Sequence, residues 1–117
     1  MRYARSDLAV AEGSHAPEVL PAMYCFHAQQ AAEKAIKAVY VDRRVEYAYI
    51  HDIQTLLDTL PVDVPEDVWA ASALTRYADV ARYPRIGPAP DQAQVTEAVQ
   101  LARTVVEWAE SVIHSTP

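Results

Sequence analysis

The stretch at residues 26–41, FHAQQAAEKAIKAVYV, constrains this chain more than any other. At about 100° per residue, Tyr24, Ala28, Ala31, Ala32, Ala35, Ile36 and Val39 fall on one wide arc of a helix. Gln29, Gln30, Glu33, Lys34 and Lys37 fall mostly on the other side, where Phe26, Tyr40 and Val41 interrupt them. Small alanine side chains let neighbouring helices approach closely. The pattern therefore predicts a central helix buried along most of its length, with part of its polar side meeting another surface.

The rest of the chain supplies partners of the same kind. Ala4, Leu8 and Ala11 recur at helical spacing in a first helix over residues 3–12, which Gly13 and Ser14 bring to an end. The central helix is expected to begin near Pro17 or Glu18 and to run to about Asp42, which tolerates Pro21 only in its first turn. Residues 43–50 carry no helical period and read as a loop or short extended piece. A third helix follows over residues 51–60, with Ile53, Leu56, Leu57 and Leu60 on one side, and Pro61 stops it. Pro65, Glu66 and Asp67 open a fourth helix that packs through Val68, Ala71, Leu74, Ala78 and Ala81, as far as about Arg82.

Tyr83 and Pro84 end that helix, because the residue before a proline avoids the α region, and residues 85–90 form the clearest loop. Asp91, with Gln94 three residues on, is a capping-box pattern. After it Val95, Ala98, Val99, Ala102, Val106, Ala109 and Ile113 make the apolar stripe of a last helix. These elements predict an all-α protein: a single domain over residues 1–117, folded as a compact up-and-down bundle of about five helices around a four-helix core.

Charge and cysteine content narrow the function. A net charge of −6 disfavours a protein that coats nucleic acid without specificity, although Lys34, Lys37, Arg43 and Arg44 gather at one helix end and Arg76, Arg82 and Arg85 at another. The lone Cys25 has no internal disulfide partner and is expected to be a buried bystander. Apolar runs stop short of the roughly 20 residues that span a bilayer, and residues 1–7 lack the apolar core of a signal peptide, so a cytoplasmic location without membrane contact is expected. No metal site is predicted, since His15, His27, His51 and His114 lie far apart. No glycine-rich phosphate loop or serine-hydrolase turn occurs, and no cofactor is implied.

What remains is one polar constellation. Lys34, Lys37, Arg82 and Tyr83, presented together, could hold a phosphate and stack a base, so they are the candidate nucleotide- or RNA-binding residues. The plainer alternative is a structural ladder of Gln29, Gln30, Glu33 and Lys37, within the bundle or between subunits, with Asp52 anchoring the third helix and Arg82 capping carbonyls. His51 reads either as half of an acid–base pair beside Asp52 or as a helix cap.

The run at residues 26–38, FHAQQAAEKAIKA, is preceded by Ala4-Arg5-Ser6-Asp7-Leu8 and followed by His51-Asp52-Ile53 and Ala81-Arg82-Tyr83-Pro84. In this it resembles the HEPN family of small helical domains over residues 4–113. The resemblance implies a helical bundle that dimerises and that, in prokaryotes, is often encoded beside a minimal nucleotidyltransferase in toxin–antitoxin modules. Active members are metal-independent ribonucleases whose Arg-x(4–6)-His motif pairs across the dimer. The matching arginine here is Arg82, but Gly87, Pro88 and Ala89 occupy the positions where the histidine belongs. Arg44 and His51 satisfy the spacing in a different place, before the third helix.

The reading is thus a nucleotide- or RNA-binding subunit acting with a nucleotidyltransferase partner, without strong catalysis of its own. A ribonuclease using Arg82 with His51 or His27 across a homodimer is the first alternative. A pure protein-interaction scaffold is the second.

Overall fold

The alanine-rich stretch is helical throughout and forms the centre of the molecule. In the computed structural model, which describes residues 1–13, 16–79 and 89–115, the elements are α1 (Arg2–Glu12), α2 (Pro21–Asp42), α3 (Ile53–Asp58), α4 (Glu66–Trp69), a 3₁₀ helix (Ala70–Tyr77) that continues α4, and α5 (Gln92–His114). No strand occurs among the described residues. Helices α1, α3 and α5 and the 3₁₀ segment all pack on α2. Two long helices of about 33 Å each set the long axis of a molecule measuring 45 × 26 × 22 Å.

Side-chain pairs give the helix directions. Arg5, early in α1, pairs with Glu110 late in α5, whereas Glu12, at the end of α1, pairs with Arg103 earlier in α5. Helices α1 and α5 are therefore antiparallel. Asp7 reaches both His27 and Lys34 of α2, while Met1 and Ala4 lie nearer Ala38 and Val41, so α1 also runs against α2. It follows that α2 and α5 run the same way, joined by the connection that carries α3, α4 and the 3₁₀ segment. Ala28, Ala31, Ala32, Ala35 and Ile36 of α2 are fully buried, as are Ala102, Val105, Val106 and Ala109 of α5. Helices meeting on alanine faces can pack at the short end of the usual 8–10 Å separation.

Both ends of α2 are defined by local chemistry. It starts at Pro21, where proline's missing N–H costs no hydrogen bond, and not at Pro17 or Glu18 as periodicity suggested; residues 17–19 form a turn instead. At its C-terminus Arg44 adopts φ 58°, the N–H of Val45 bonds the carbonyl of Tyr40 at 2.9 Å, and the N–H of Arg44 bonds that of Val41 at 3.1 Å. This is a Schellman motif, with Val45 folded back onto the core. The spacing from Arg44 to His51 accordingly reflects a helix cap and the loop after it.

Two further expectations are corrected. The third helix covers Ile53–Asp58 and not residues 51–60, because the Asp52 carboxylate caps it by accepting from the N–H groups of Gln54 and Thr55. His51 is therefore not the cap. The fourth helix is not one α-helix as far as Arg82: after one α turn it tightens to 3₁₀ and ends at Tyr77. At three residues per turn, side chains three apart line up, and Val68, Ala71, Leu74 and Tyr77 are the buried set, in place of the Ala78 that a 3.6-residue period selects. Ala81 lies outside the described residues. The last helix begins as predicted, with Asp91 and Gln94 forming a reciprocal capping box. Val99 and Ile113 of its stripe are only partly buried, and Val105 is buried in addition.

Candidate functional site

The polar side of α2 is folded into the molecule at one edge and open at the other. Gln29 and Glu33 are buried, and they belong to a continuous chain of hydrogen bonds. Gln30 Nε2 donates to Gln29 Oε1 at 2.7 Å, and Gln29 Nε2 donates to Glu33 Oε1 at 2.9 Å. His51 Nδ1 lies 2.8 Å from the same Oε1, and Lys37 Nζ donates to Oε2 at 2.9 Å. An ionised carboxylate only accepts, so Nδ1 of His51 carries the hydrogen. The hydrogen bonds of Gln29, Gln30, Glu33 and Lys37 thus form a ladder within the chain, and it ties the segment after α2 to the helix. Burial by itself would raise the pKa of Glu33, but hydrogen bonds from Lys37, Gln29 and His51 together outweigh it and hold the carboxyl below its ordinary range.

A second cluster of the same make-up stands beside the first. Asp7 of α1, largely buried, faces His27 Nδ1 with Oδ1 at 2.9 Å and accepts from Lys34 Nζ with Oδ2 at 2.6 Å. In each cluster one carboxylate bridges a histidine Nδ1 and a lysine ammonium. His27 and Lys34 are two turns apart on α2 and share a stripe; Gln29, Glu33 and Lys37 form the adjoining one. Lys37 has a side-chain exposure of 17% and Lys34 of 40%, so both ammonium groups reach the surface from carboxylates that hold them in place.

Lys34 and Lys37 line the same open groove, of about 420 Å³, between the start of α1 and the end of α2. Met1, Tyr3, Ala4, Ala38, Val41 and Tyr47 complete its walls. Lys37 Nζ sits 5.4 Å from the centroid of the Tyr47 ring, a cation–π arrangement. Tyr47 is one of a run of three tyrosines leading outward from the core. Tyr40 is buried, its hydroxyl donating to the Leu56 carbonyl at 2.5 Å; Tyr47 lies 5.7 Å from it; Tyr49 lies 5.9 Å beyond and is 94% exposed. The groove combines two fixed cations with aromatic faces, and its size is in the range of small-ligand sites.

Of the residues singled out in the sequence, Lys34 and Lys37 come together, and Gln29, Gln30, Glu33 and His51 form the network behind Lys37. Arg82 and Tyr83 lie outside the described residues. Asp7 was named only within the run that carries the family resemblance, with no role assigned, and Tyr3, Tyr47 and Tyr49 were not picked out as site residues. The two-turn spacing of His27 and Lys34 was a visible signal, but nothing in the order of residues brings Asp7 from another helix to join them. No group of three or more His, Cys, Asp or Glu side chains is placed to hold a metal ion among the described residues, and none of their helices is long and apolar enough to cross a membrane.

The HEPN domain family model matches residues 1–112. The chain belongs to the HEPN family. This HEPN protein is similar to TT1696 from Thermus thermophilus, whose crystal structure shares 37% sequence identity with it over 95% of this chain and 93% of that one, with a TM-score of 0.81. It also shares the fold of ST0689, described as an archaeal HEPN homologue, at 24% identity over 96% of this chain and 93% of that one, with a TM-score of 0.78. No curated protein matches the sequence. The all-helical bundle expected of a HEPN domain is thus the fold observed.

Proposed function

We propose that this HEPN protein is a nucleotide- or RNA-binding subunit that works as a homodimer beside a separate nucleotidyltransferase, in a module of the toxin–antitoxin kind, without strong catalysis of its own. The observation that carries this reading is that Lys34 and Lys37 open onto one groove walled by Tyr3 and Tyr47. Ammonium groups neutralise phosphate and tyrosine faces stack bases, so the groove offers the two contacts a nucleotide needs. Arg82 and Tyr83 are proposed as further contacts from the sequence pattern. Strong ribonuclease activity is disfavoured because Gly87, Pro88 and Ala89 stand where the family's motif requires histidine.

Titration of nucleotides and short RNAs against the wild type, Lys34→Ala/Lys37→Ala and Arg82→Ala tests the reading. Binding that weakens at least about tenfold in the lysine variant supports it, that factor being near the cost of one lost charge-assisted contact. An absence of binding, or equal binding by all three proteins, overturns it. The partner is tested by co-expressing the nucleotidyltransferase encoded next to this chain, where one is present, and asking whether the two co-purify.

One observation favours the ribonuclease alternative: the Nδ1 atoms of His27 and His51 are both held by carboxylates, which leaves Nε2 to exchange protons. Metal-free cleavage of single-stranded RNA, lost in Arg82→Ala and in His27→Ala or His51→Ala, would put that reading first.

A further inference from the structure

The two clusters behind the groove have a consequence for how it binds. Each lysine is neutralised by one carboxylate, and each carboxylate is shared with a histidine on its other oxygen: Asp7 between His27 and Lys34, Glu33 between His51 and Lys37. With neutral imidazoles, each cluster carries no net charge, because one ammonium cancels one carboxylate. With protonated imidazoles, each cluster carries one positive charge, and that charge lies next to the ammonium facing the groove.

We infer that the groove is a proton-linked phosphodiester site, in which Lys34 and Lys37 contact the phosphate while His27 and His51, acting through Asp7 and Glu33, set how strongly the lysines attract it. This rests on the nucleotide-binding reading and adds its regulation. Lys34 and Lys37 are the contact residues; the two carboxylates and two histidines are positioning residues.

The sign follows from the charges. Protonating the two imidazoles adds two positive charges behind the groove, so anion binding tightens as the pH is lowered. By linkage, binding an anion takes up protons. The charged or titratable groups facing the histidines are, for His27, Asp7 from α1 and Lys34 from α2; for His51, Glu33 and Lys37 from α2, with Asp52 beside it in the chain committed to capping α3. The Met1 amino group and the phenols of Tyr3 and Tyr47 belong to residues that line the groove itself. Substituting the histidines separates their part of any pH dependence from that of these groups.

A suitable probe is the dinucleotide uridylyl-uridine, which carries one phosphodiester charge and no group that titrates in this range, with uridine as the uncharged control. Calorimetric titration of the wild type should show affinity rising about five- to tenfold from pH 8 to pH 5.5, the scale expected for two added charges several ångströms away across the protein surface. Proton uptake on binding should appear as a dependence of the heat on buffer ionisation. The His27→Gln/His51→Gln variant should lose most of the rise between the two pH values, and Lys34→Ala/Lys37→Ala should bind weakly at both. In the wild type alone, the probe should shift the NMR titration of both imidazoles to higher pH, a readout that needs no variant to fold.

Affinity that is flat with pH, a rise that survives in the double-histidine variant, or unmoved imidazole titrations would overturn the linkage while leaving nucleotide binding intact. Binding unchanged by the lysine substitutions but lost in Arg82→Ala would overturn the placement in this groove. Binding of no phosphodiester at either pH would remove the underlying reading and this inference together.

Discussion

Glu33 Oε1 lies 2.8 Å from His51 Nδ1, so a carboxylate buried on α2 holds a mostly exposed histidine 18 residues further along the chain. The same carboxylate satisfies Gln29 and Lys37. Removing it leaves a buried amide and a largely buried ammonium without their acceptor. Glu33→Ala should therefore destabilise the protein by about 2–4 kcal/mol and Glu33→Gln by less, since the amide oxygen still accepts one bond. Urea denaturation followed by circular dichroism checks this; a loss below about 0.5 kcal/mol for the alanine variant would show that the network carries little of the fold's stability.

The depressed pKa of Glu33 fixes the direction of a pH effect. A carboxyl whose folded pKa lies below its unfolded value stabilises the native state above the unfolded pKa, about 4.3 for glutamate, and that contribution is lost as pH falls through the folded pKa. The wild type should lose stability on acidification below about pH 4.3 more steeply than Glu33→Gln, whose curve lacks this component. Parallel curves for the two proteins between pH 5 and pH 3 would contradict the assignment.

Arg44 occupies the left-handed region at φ 58° in the Schellman motif that ends α2. Side chains with a Cβ are strained there and glycine is not, so Arg44→Gly should raise stability by about 0.5–1 kcal/mol. Arg44→Val should lower it by about 1–2 kcal/mol, because a β-branched residue tolerates this conformation least. Thermal melts that rank valine at or above glycine would show that the turn rearranges.

Burial pushes the Cys25 thiol up to about 11, against a smaller opposing effect from its hydrogen bond with Tyr77. Near pH 8 only about one molecule in a thousand would carry the thiolate, and the sulfur is also shielded from solvent. Labelling with a thiol reagent should follow the opening of the bundle, rising steeply through the denaturation midpoint. Prompt labelling of the native protein would mean that α2 and the 3₁₀ segment separate far more readily than their packing implies.

The elements differ in how much of them could be read from residue order. The capping box at Asp91, the buried alanine arc of α2 and the apolar stripe of α5 were all legible, because each depends on residues within a turn or two of one another. The beginning of α2 was misplaced, since a turn at residues 17–19 and a helix starting at Pro21 satisfy the same local preferences. The 3₁₀ segment was read as α-helix because Val68, Ala71 and Leu74 suit either period. The burial of Tyr77, whose hydroxyl bonds the Cys25 sulfur on another helix, marks the tighter winding. In the candidate site, Lys34 and Lys37 were visible as cations on one helix face, but Asp7, Tyr3 and Tyr47 come from elsewhere in the chain and carry no mark of where they will lie.

The sequence by itself determined that this is a bundle of helices, which faces of them are apolar and where most of them end, because helical periodicity and capping are properties of neighbouring residues. Only the tertiary structure decided that Glu33 would be buried together with its partners, that Asp7 and Glu33 would each join a histidine to a lysine, and that both lysines would open onto one groove. Those relationships join α1 and the segment before α3 to α2. The distances that create them are set by how alanine-faced helices pack, not by spacing along the chain.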